Sequence, residues 1–231
     1  MMLTLSEFKN LVNLSKQEIC REIFSENADR IKVKKEERVV KNLAKIFDAT
    51  LAISNKKGFH AMSLRDLSES SGLSMGALYS YFSSKDELLS MIQEQGRRLT
   101  YRVLGEQILG VTDPREMLSV GIITHLYLSE VMQPWFYFTF MEAKNLDRKE
   151  LKEAIASELW TEKFFADILR QGAEKGVFMA RDPEMTSAVL KALLQEWYVK
   201  RWKYRNRNVS VETYARFIID WMMAFLAPEG K

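Results

Sequence analysis

The sequence predicts an all-α protein, and three observations indicate this fold class. Only 10 Gly and 4 Pro occur in 231 residues, so the residues that interrupt helices are scarce. Apolar residues recur at the helical spacing i, i+3, i+4 and i+7 along most of the chain. Residues typical of helix starts, Asp113-Pro114, Asp182-Pro183 and Ser210, stand before such apolar stretches. We therefore expect long helices rather than a turn-rich β fold.

Residues 1–30 predict a helical N-terminal extension. Phe8 and Leu11 lie on one side of a first amphipathic stretch, and Ser15 with Glu18 forms a capping-box pattern before a second. Disordered arms rarely carry so many patterned apolar residues. We expect both helices to dock, either on the protein's own body or on a partner subunit or DNA.

The stretch from Ser63 to Leu89 predicts two short helices joined by a tight turn and followed by a third helix. Ser63 and Ser74 are N-cap residues, and Gly72 supplies the backbone freedom needed to end a helix after two turns. A longer amphipathic helix, ended by Gly58, precedes them. This order is that of a helix-turn-helix, whose second helix enters the DNA major groove.

These residues also carry a family resemblance. The segments GLSMGALYSYF at 72–82 and KDELL at 85–89, with KGF at 57–59, resemble the DNA-binding signature of the tetracycline-repressor (TetR) family of transcriptional regulators. Outside this region the resemblance is one of helix order and length. After the helical extension predicted at 1–30, the resemblance implies a helix-turn-helix DNA-binding domain at 31–88 and a larger effector-binding and dimerisation domain at 89–231.

The resemblance implies a set of DNA contacts. The hydroxyls of Tyr79 and Tyr81 would bond phosphates, and Lys85 would approach the DNA backbone from the N-terminus of its helix. Serines and an arginine at the starts of the two short helices add backbone or base contacts. The full predicted set is Ser63, Arg65, Ser74, Met75, Gly76, Ala77, Tyr79, Tyr81 and Lys85.

The recognition helix departs from many relatives at two positions. Met75 and Ala77 stand where other family members carry Lys, Arg or Thr. Apolar side chains contact a thymine methyl group but cannot form bidentate hydrogen bonds to guanine. We therefore expect few direct base contacts, and the operator sequence does not follow from these residues.

The charge distribution is consistent with DNA binding in the N-terminal half. The net charge is only +3, but residues 30–102 contain 14 basic and 8 acidic residues. A positive field on this region attracts a polyanion. The lead-in residues Arg30, Lys32, Lys34 and Lys35 either steer DNA or form an ordinary solvated surface.

The C-terminal part is rich in aromatic residues and Met. The segment 135–141, WFYFTFM, is apolar on every side if it is helical, so it must be enclosed or line a cavity. With the family resemblance, this composition favours a pocket for a small hydrophobic or amphipathic effector, although a solid core explains any single residue. The predicted pocket residues are His125, Tyr127, Trp135, Phe138, Met141, Trp160 and Phe164.

The last two long helices resemble the dimerisation surface of the family. Two such helices from each subunit would form a four-helix bundle and place the recognition helices about 34–36 Å apart, one turn of DNA. Between these helices lies a basic cluster that is either solvated or binds an anionic ligand group, such as an acyl-coenzyme A phosphate. The predicted interface residues are Trp197, Phe217, Trp221, Met222 and Phe225, and the cluster is Lys200, Arg201, Lys203, Arg205 and Arg207.

Other function classes have little support. An enzyme is not expected, because two His, one Cys and no Gly-rich phosphate loop leave catalysis few groups. No cofactor or metal is expected either. Cys20 alone excludes an internal disulfide, and no signal peptide or membrane-length apolar run is present, so we expect a cytoplasmic protein.

We therefore predict a ligand-responsive regulator, most simply a repressor that binds a palindromic operator as a homodimer and is released by its effector. An activator remains an alternative, because the same dimer at another promoter position acts in the opposite sense. A second alternative is a helical adaptor or membrane-surface protein that uses the N-terminal helices.

Overall fold

The computed structural model describes residues 3–12, 15–179 and 181–228, and every regular element within them is a helix. This confirms the predicted all-α class. The helices are α1 (Leu5–Leu11), α2 (Lys16–Glu26), α3 (Glu36–Lys57), α4 (Leu64–Ser71), α5 (Met75–Leu78), α6 (Lys85–Ile108), α7 (Pro114–Val131), α8 (Gln133–Glu142), α9 (Arg148–Glu174), α10 (Pro183–Val199), α11 (Arg201–Asn206) and α12 (Val211–Phe225), with a 3₁₀ turn at Ala143–Asn145.

Side-chain caps begin several helices where the sequence pattern predicts them. Asp113, Asp182 and Ser210 each accept a hydrogen bond from a backbone N–H in the first turn of α7, α10 and α12. Pro occupies the first turn of α7 and of α10, where its missing N–H leaves no intrahelical bond unmade. The described helices include no segment with the length and hydropathy needed to span a bilayer.

The chain divides into two compact units. One, which we call the helix-turn-helix unit, comprises residues 12–98 and 134–151. The other, the body unit, comprises residues 1–11, 99–133 and 152–231. The domain boundaries inferred from the family resemblance remain predictions.

The helix-turn-helix unit is built on α3. Both α2 and α4 pack against α3, and α5 packs against α4. Its core includes the fully buried side chains of Leu43, Ile46, Leu67 and Leu78. Burying one such side chain stabilises the fold by about 1.5–3 kcal/mol, so these short helices depend on tertiary packing for their stability.

The centre of the body unit is α7. Every residue from Gly121 to Ser129 is buried, and α1, α10 and α12 pack against this helix. A helix that is buried on all sides needs neighbours around its whole circumference. The first helix of the N-terminal extension supplies one of them.

The two helices of the N-terminal extension belong to different units. Phe8 of α1 is fully buried in the body unit and forms a T-shaped pair with Tyr127, with the ring centroids 5.6 Å apart. The Tyr127 hydroxyl donates to the carbonyl oxygen of Leu3 at 2.8 Å. By contrast, α2 packs on α3 in the helix-turn-helix unit, where Ile19 and Ile23 are buried. Both helices of the extension therefore pack on elements of their own chain, α1 in the body unit and α2 in the helix-turn-helix unit.

The aromatic segment at 135–141 is helical, but it is not enclosed on every side. Trp135 and Phe138 are buried, whereas Phe140 and Met141 are exposed. The sequence analysis expects these residues to be enclosed or to line a cavity. Phe140 is not enclosed, whereas Met141 lines the surface cleft described below.

We predict that Tyr127→Phe lowers the free energy of unfolding by about 1 kcal/mol, the usual net value of one hydrogen bond. Phe8→Ala should cost about 3 kcal/mol, because it leaves a cavity beside α7. Urea unfolding monitored by circular dichroism measures both changes. Tyr79→Phe, at an exposed position, is the matched control and should leave stability unchanged. Equal stability of Phe8→Ala and the wild type would show that α1 is not docked.

Candidate nucleic-acid interface

The turn between α4 and α5 has the geometry of a helix-turn-helix. The hydroxyl of Ser63 accepts from the backbone N–H of Asp66 at 3.1 Å, and the Asp66 carboxylate accepts from the backbone N–H of Ser63 at 2.7 Å. Gly72 ends α4 with a φ of +66°, which L side chains rarely adopt. Ser74 then begins α5 by accepting from the backbone N–H of Ala77.

Asp66 is the charged centre of this cap. It accepts hydrogen bonds from Lys57 Nζ at 2.9 Å and from the Ser63 hydroxyl at 2.7 Å. The hydrogen bond from Lys57, followed by those from Ser63, holds the pKa of Asp66 well below its usual range. The carboxylate is therefore ionised near neutral pH, and it complements the partial positive charge at the N-terminus of α4.

Most of the predicted DNA contacts are exposed. Tyr79 is 44% exposed at the C-terminal end of α5, and Met75 is exposed at its start. Large side chains at such positions are free to contact a ligand. The other exposed members of the predicted set are Ser63, Arg65, Ser74 and Gly76, and Ala77 is half-buried.

Tyr81 is a correction to the predicted set. Its side chain is only 1% exposed, and its hydroxyl accepts a hydrogen bond from Asn42 Nδ2 at 2.8 Å. The ring therefore belongs to the core of the helix-turn-helix unit and is not available to a phosphate. Residues two apart on a helical turn point in different directions, so Tyr79 is exposed where Tyr81 is enclosed.

Lys85 connects the start of α6 to the loop that precedes α4. Its Nζ donates to the carbonyl oxygen of His60 at 3.1 Å and lies 5.0 Å from the centroid of the Phe59 ring. Partial burial lowers the pKa of Lys85, an effect that nearby Asp86 opposes. The ammonium group orders the protein around it and lies at a helix N-terminus, where an anion is favoured.

The basic lead-in lies beside the end of the recognition helix. The backbone N–H of Lys32 donates to the carbonyl oxygen of Ser80 at 2.9 Å. Lys34 Nζ donates to the carbonyl oxygen of Ala28 at 2.9 Å, whereas the side chain of Lys35 is 76% exposed. Part of this cluster therefore has a structural role in the protein itself, and part remains at the surface.

The seven predicted pocket residues are divided between the two units. Trp135, Phe138 and Met141 lie in the helix-turn-helix unit. Trp135 Nε1 donates to the carbonyl oxygen of Ile92 at 3.0 Å, and Phe138 packs against Phe59 with the ring centroids 5.8 Å apart. These contacts correct the prediction for Trp135 and Phe138, because both rings are core residues of this unit.

Met141 lines a surface cleft of the helix-turn-helix unit with a volume of about 430 Å³. The end of α3, the following loop and α8 form its walls, with Lys56, His60, Tyr137 and Lys144 among the lining residues. The cleft is open to solvent and has both charged and apolar lining residues. It therefore differs from the enclosed apolar pocket that the sequence predicts.

The other predicted pocket residues lie in the body unit. Trp160 and Phe164 of α9 are half-buried, and Trp160 stacks on Phe164 and lies 4.1 Å from the ring centroid of Tyr101. His125 is buried. Tyr127 is a correction, because the N-terminal extension encloses it. Trp160 and Phe164 are the predicted pocket residues that lie together, and Tyr101, which the sequence analysis did not include, packs against them.

A buried charged network in the body unit was missed by the sequence analysis. Lys191 is almost fully buried in α10, and its Nζ lies 2.9 Å from Glu158 of α9. Gln195 Nε2 also donates to Glu158, at 2.6 Å. Burial lowers the pKa of Lys191, and Glu158 opposes that shift. The sequence offered one signal of this network: Lys191 stands among the apolar residues of α10, three residues before Leu194.

The five residues predicted for the dimer interface differ in exposure, and the interface itself stays a prediction. Phe217, Trp221 and Phe225 are exposed on α12, with Phe217 66% exposed. Trp197 is a correction, because it is fully buried and its Nε1 donates to Glu130 at 3.0 Å. Met222 is likewise buried within the subunit. The sequence pattern does not distinguish these positions, because periodicity marks a side of a helix as apolar without showing which element covers it.

Comparisons with known proteins agree with this geometry. A family model described as "Bacterial regulatory proteins, tetR family" matches residues 46–92, and one described as "Tetracyclin repressor-like, C-terminal domain" matches residues 111–226, half of the chain.

The described residues contain no group of His, Cys, Asp and Glu that could hold a metal ion.

Two curated relatives are similar over part of the chain. The uncharacterized HTH-type transcriptional regulator YfiR of Bacillus subtilis (strain 168) is 29% identical over 159 residues, which cover 64% of this chain and 73% of the relative. The HTH-type transcriptional repressor KstR of Mycolicibacterium smegmatis is 33% identical over 129 residues, covering 55% of this chain and 53% of the relative.

Two solved structures share the fold. The TetR family transcriptional regulator PfmR from Thermus thermophilus has a TM-score of 0.71 at 29% identity and covers 79% of this chain and 99% of that chain. AibR, solved in complex with isovaleryl coenzyme A and operator DNA, has a TM-score of 0.67 at 17% identity and covers 81% of this chain and 98% of that chain.

We predict that acidification destabilises the protein through His125. Complete burial, and then the nearby charge of Lys191, holds the pKa of His125 well below 6.5. The unfolded chain therefore binds a proton near pH 6.5 that the folded chain does not, so stability falls as the pH drops below this value. His125→Asn should reduce the slope of unfolding free energy against pH by up to about 1.4 kcal/mol per pH unit. Urea titrations between pH 7 and pH 5 measure this slope, and His60→Asn, at an exposed position, is the control. Identical slopes for the wild type and His125→Asn would contradict the prediction.

Proposed function

The chain belongs to the TetR family of transcriptional regulators, and on this premise we propose that it is a homodimeric repressor of a palindromic operator, released by a small hydrophobic or amphipathic effector. KstR, one of its relatives, is named a transcriptional repressor. AibR, a structural neighbour, was solved with both isovaleryl coenzyme A and operator DNA. Acyl-coenzyme A thioesters are therefore one effector class to test.

The observation that carries the proposal is the exposed side of α5 at the end of a capped turn. Met75 and Tyr79 are both exposed there. Arg65, the second residue of α4, is also exposed. A surface with an apolar tip, a phenol and a guanidinium suits the edge of a DNA groove, where apolar groups meet thymine methyls and cations meet phosphates.

The recognition helix favours a limited base readout. Met75 and Ala77 offer methyl and thioether contacts, and Gly76 between them lets the backbone approach the DNA closely. Tyr79 and Lys85 would then hold the register through phosphates. We infer that specificity in this protein depends in part on the shape and deformability of the operator.

Exposed apolar residues on α10 and α12 support dimerisation through these two helices. Phe217, Trp221 and Phe225 recur every four residues on α12, and Met185 and Val189 do so on α10, and all five are exposed. Exposed apolar residues aligned in this way mark an interaction site. Two such helices from each subunit would form a four-helix bundle about a two-fold axis.

The aromatic group in the body unit supports an effector of apolar character. Tyr101, Trp160 and Phe164 present ring surfaces that are only half-buried. An ideal Cβ on Gly121 of α7 would lie 3.1 Å from Phe164, so the ring lies against the bare backbone of that helix. A ligand that wedges between these groups would move α7 or α9 and change the distance between the two recognition helices.

We predict that Tyr79→Ala and Lys85→Ala each weaken DNA binding about tenfold, because each removes a contact to a charged phosphate worth about 1.5 kcal/mol. The probe is the duplex that wild-type protein retains from fragmented genomic DNA, titrated by fluorescence anisotropy. Lys163→Ala, a surface lysine of the body unit that pairs with Asp167, is the control and should bind normally. Full affinity in both variants, with thermal unfolding unchanged, would defeat the assignment.

We predict that Phe217→Glu converts the dimer to a monomer, because a carboxylate at the centre of an apolar interface loses its water without gaining a partner. Sedimentation velocity should show a dissociation constant raised by about two orders of magnitude, equivalent to about 2.7 kcal/mol. Leu109→Glu makes the same change at a residue that is 85% exposed outside this face and should remain dimeric. A dimer of unaltered affinity in Phe217→Glu would place the interface elsewhere.

A further inference from the structure

The segment 30–41, which leads from α2 into the first turns of α3, is a basic stretch of the helix-turn-helix unit. Six of its twelve residues are Lys or Arg, and two are acidic. None of the DNA contacts proposed above comes from this segment. It also precedes residues 46–92, which the N-terminal family model matches. The segment is therefore a cationic feature that the helix-turn-helix signature does not account for.

The end of α2 holds the start of this segment in a defined conformation. The carbonyl oxygen of Asn27, the residue that ends α2, accepts from the backbone N–H groups of Arg30 at 3.0 Å and Ile31 at 2.9 Å. The side chain of Ile31 is fully buried. An ordered segment loses little conformational entropy when a ligand binds. The second helix of the N-terminal extension thus supports a fixed surface, because α2 itself packs on α3.

The middle of the segment is bonded to the end of the recognition helix. The backbone N–H of Lys32 donates to the carbonyl oxygen of Ser80 at 2.9 Å. Ser80 follows Tyr79, the exposed residue that ends α5. The Lys32 side chain therefore begins one residue away from the proposed phosphate contact of Tyr79.

Arg38 approaches the same region from α3. The Nδ2 atom of Asn42 donates to the hydroxyl of Tyr81 at 2.8 Å, which fixes the side of α3 that meets the end of the recognition helix. Arg38 precedes Asn42 by four residues, so the two side chains lie on the same side of α3. Cations from two separate elements therefore stand next to the end of α5.

Both of these cations are exposed. Within residues 3–12, 15–179 and 181–228, no carboxylate forms an ion pair with Lys32 or Arg38. Their neighbours in the segment are engaged differently, since Arg30 Nη1 lies 3.9 Å from Glu87 and Lys34 Nζ bonds backbone carbonyl oxygens. The charge of Lys32 and Arg38 is therefore available to an anion from outside the protein.

We propose that Lys32 and Arg38 form a phosphate-contact surface that binds the DNA backbone beside the groove entered by α5. This inference rests on the proposed function. Ammonium and guanidinium groups bond phosphate oxygens strongly. The duplex is the favoured anion because the surface lies next to the exposed end of the recognition helix, within one compact unit. Such contacts fix the register of a protein on DNA and carry no sequence information.

The test compares the salt dependence of DNA binding in three full-length proteins. These are the wild type, Lys32→Gln/Arg38→Gln, and the control Lys149→Gln/Lys152→Gln, which removes the same charge from exposed positions of α9. The probe is the duplex that the wild type retains from fragmented genomic DNA. The slope of log affinity against log salt changes by about 0.9 for each phosphate that is no longer neutralised. We expect the slope to fall by about 1.8 for each bound subunit in Lys32→Gln/Arg38→Gln and to stay unchanged in the control.

A second measurement separates phosphate contacts from base contacts. Lys32→Gln/Arg38→Gln should weaken binding to the retained duplex and to a shuffled duplex of the same composition by the same factor, because phosphates are common to both. Lys32→Arg/Arg38→Lys, which keeps both charges, should retain the wild-type slope. Ethylation interference should identify phosphates that are required by the wild type and not by Lys32→Gln/Arg38→Gln. Thermal unfolding verifies that each variant is folded.

The failures of the two proposals are distinguishable. A wild-type protein that retains no duplex at low salt defeats the proposed function itself. A wild type that binds DNA, with an unchanged slope in Lys32→Gln/Arg38→Gln, overturns the phosphate-contact surface alone. A loss of affinity for the retained duplex but not for the shuffled one would assign the two residues to base readout and would equally overturn the surface.

Discussion

A helix of four residues has no stability of its own, so everything that α5 presents depends on the groups that hold its two ends. Ser74 caps its first turn, and Gly72 supplies the left-handed turn that brings it against α4. Beyond its last turn, Tyr81 is buried and bonded to Asn42 of α3. The recognition surface is therefore positioned by α3 and by a charged cap. The exposed side of α5 has no role in holding the subunit together.

The two helices of the N-terminal extension pack in different units. Phe8 completes the packing around α7, whereas α2 packs on α3. The family models match residues 46–92 and 111–226, so the extension lies outside the matched part of the chain. Tyr127, whose hydroxyl bonds Leu3, serves the extension rather than an effector.

Charge is arranged differently in the two units. In the helix-turn-helix unit, several cations neutralise caps or bond backbone carbonyls, as Lys57, Lys85 and Lys34 do. In the body unit, Lys191 is buried against Glu158, and Arg201 of α11 pairs with Glu130. Ion pairs within the subunit use part of each cluster, so the number of basic residues in a segment overstates the charge available to DNA. The cations that matter for binding are those whose partners the fold does not supply.

The sequence by itself determined the helical class, the capped turn at Ser63–Ser74 and the family, because these depend on local patterns and on residues close together along the chain. Only the tertiary structure decided which apolar residues are enclosed. Trp197 and Phe217 have equivalent places in a helical pattern, yet one bonds Glu130 in the core and the other is exposed. Likewise, the predicted pocket residues belong to two units, since periodicity identifies a side of a helix as apolar but not the element that covers it. Burial is a property of contacts between segments distant in sequence, and no pattern within one segment records them.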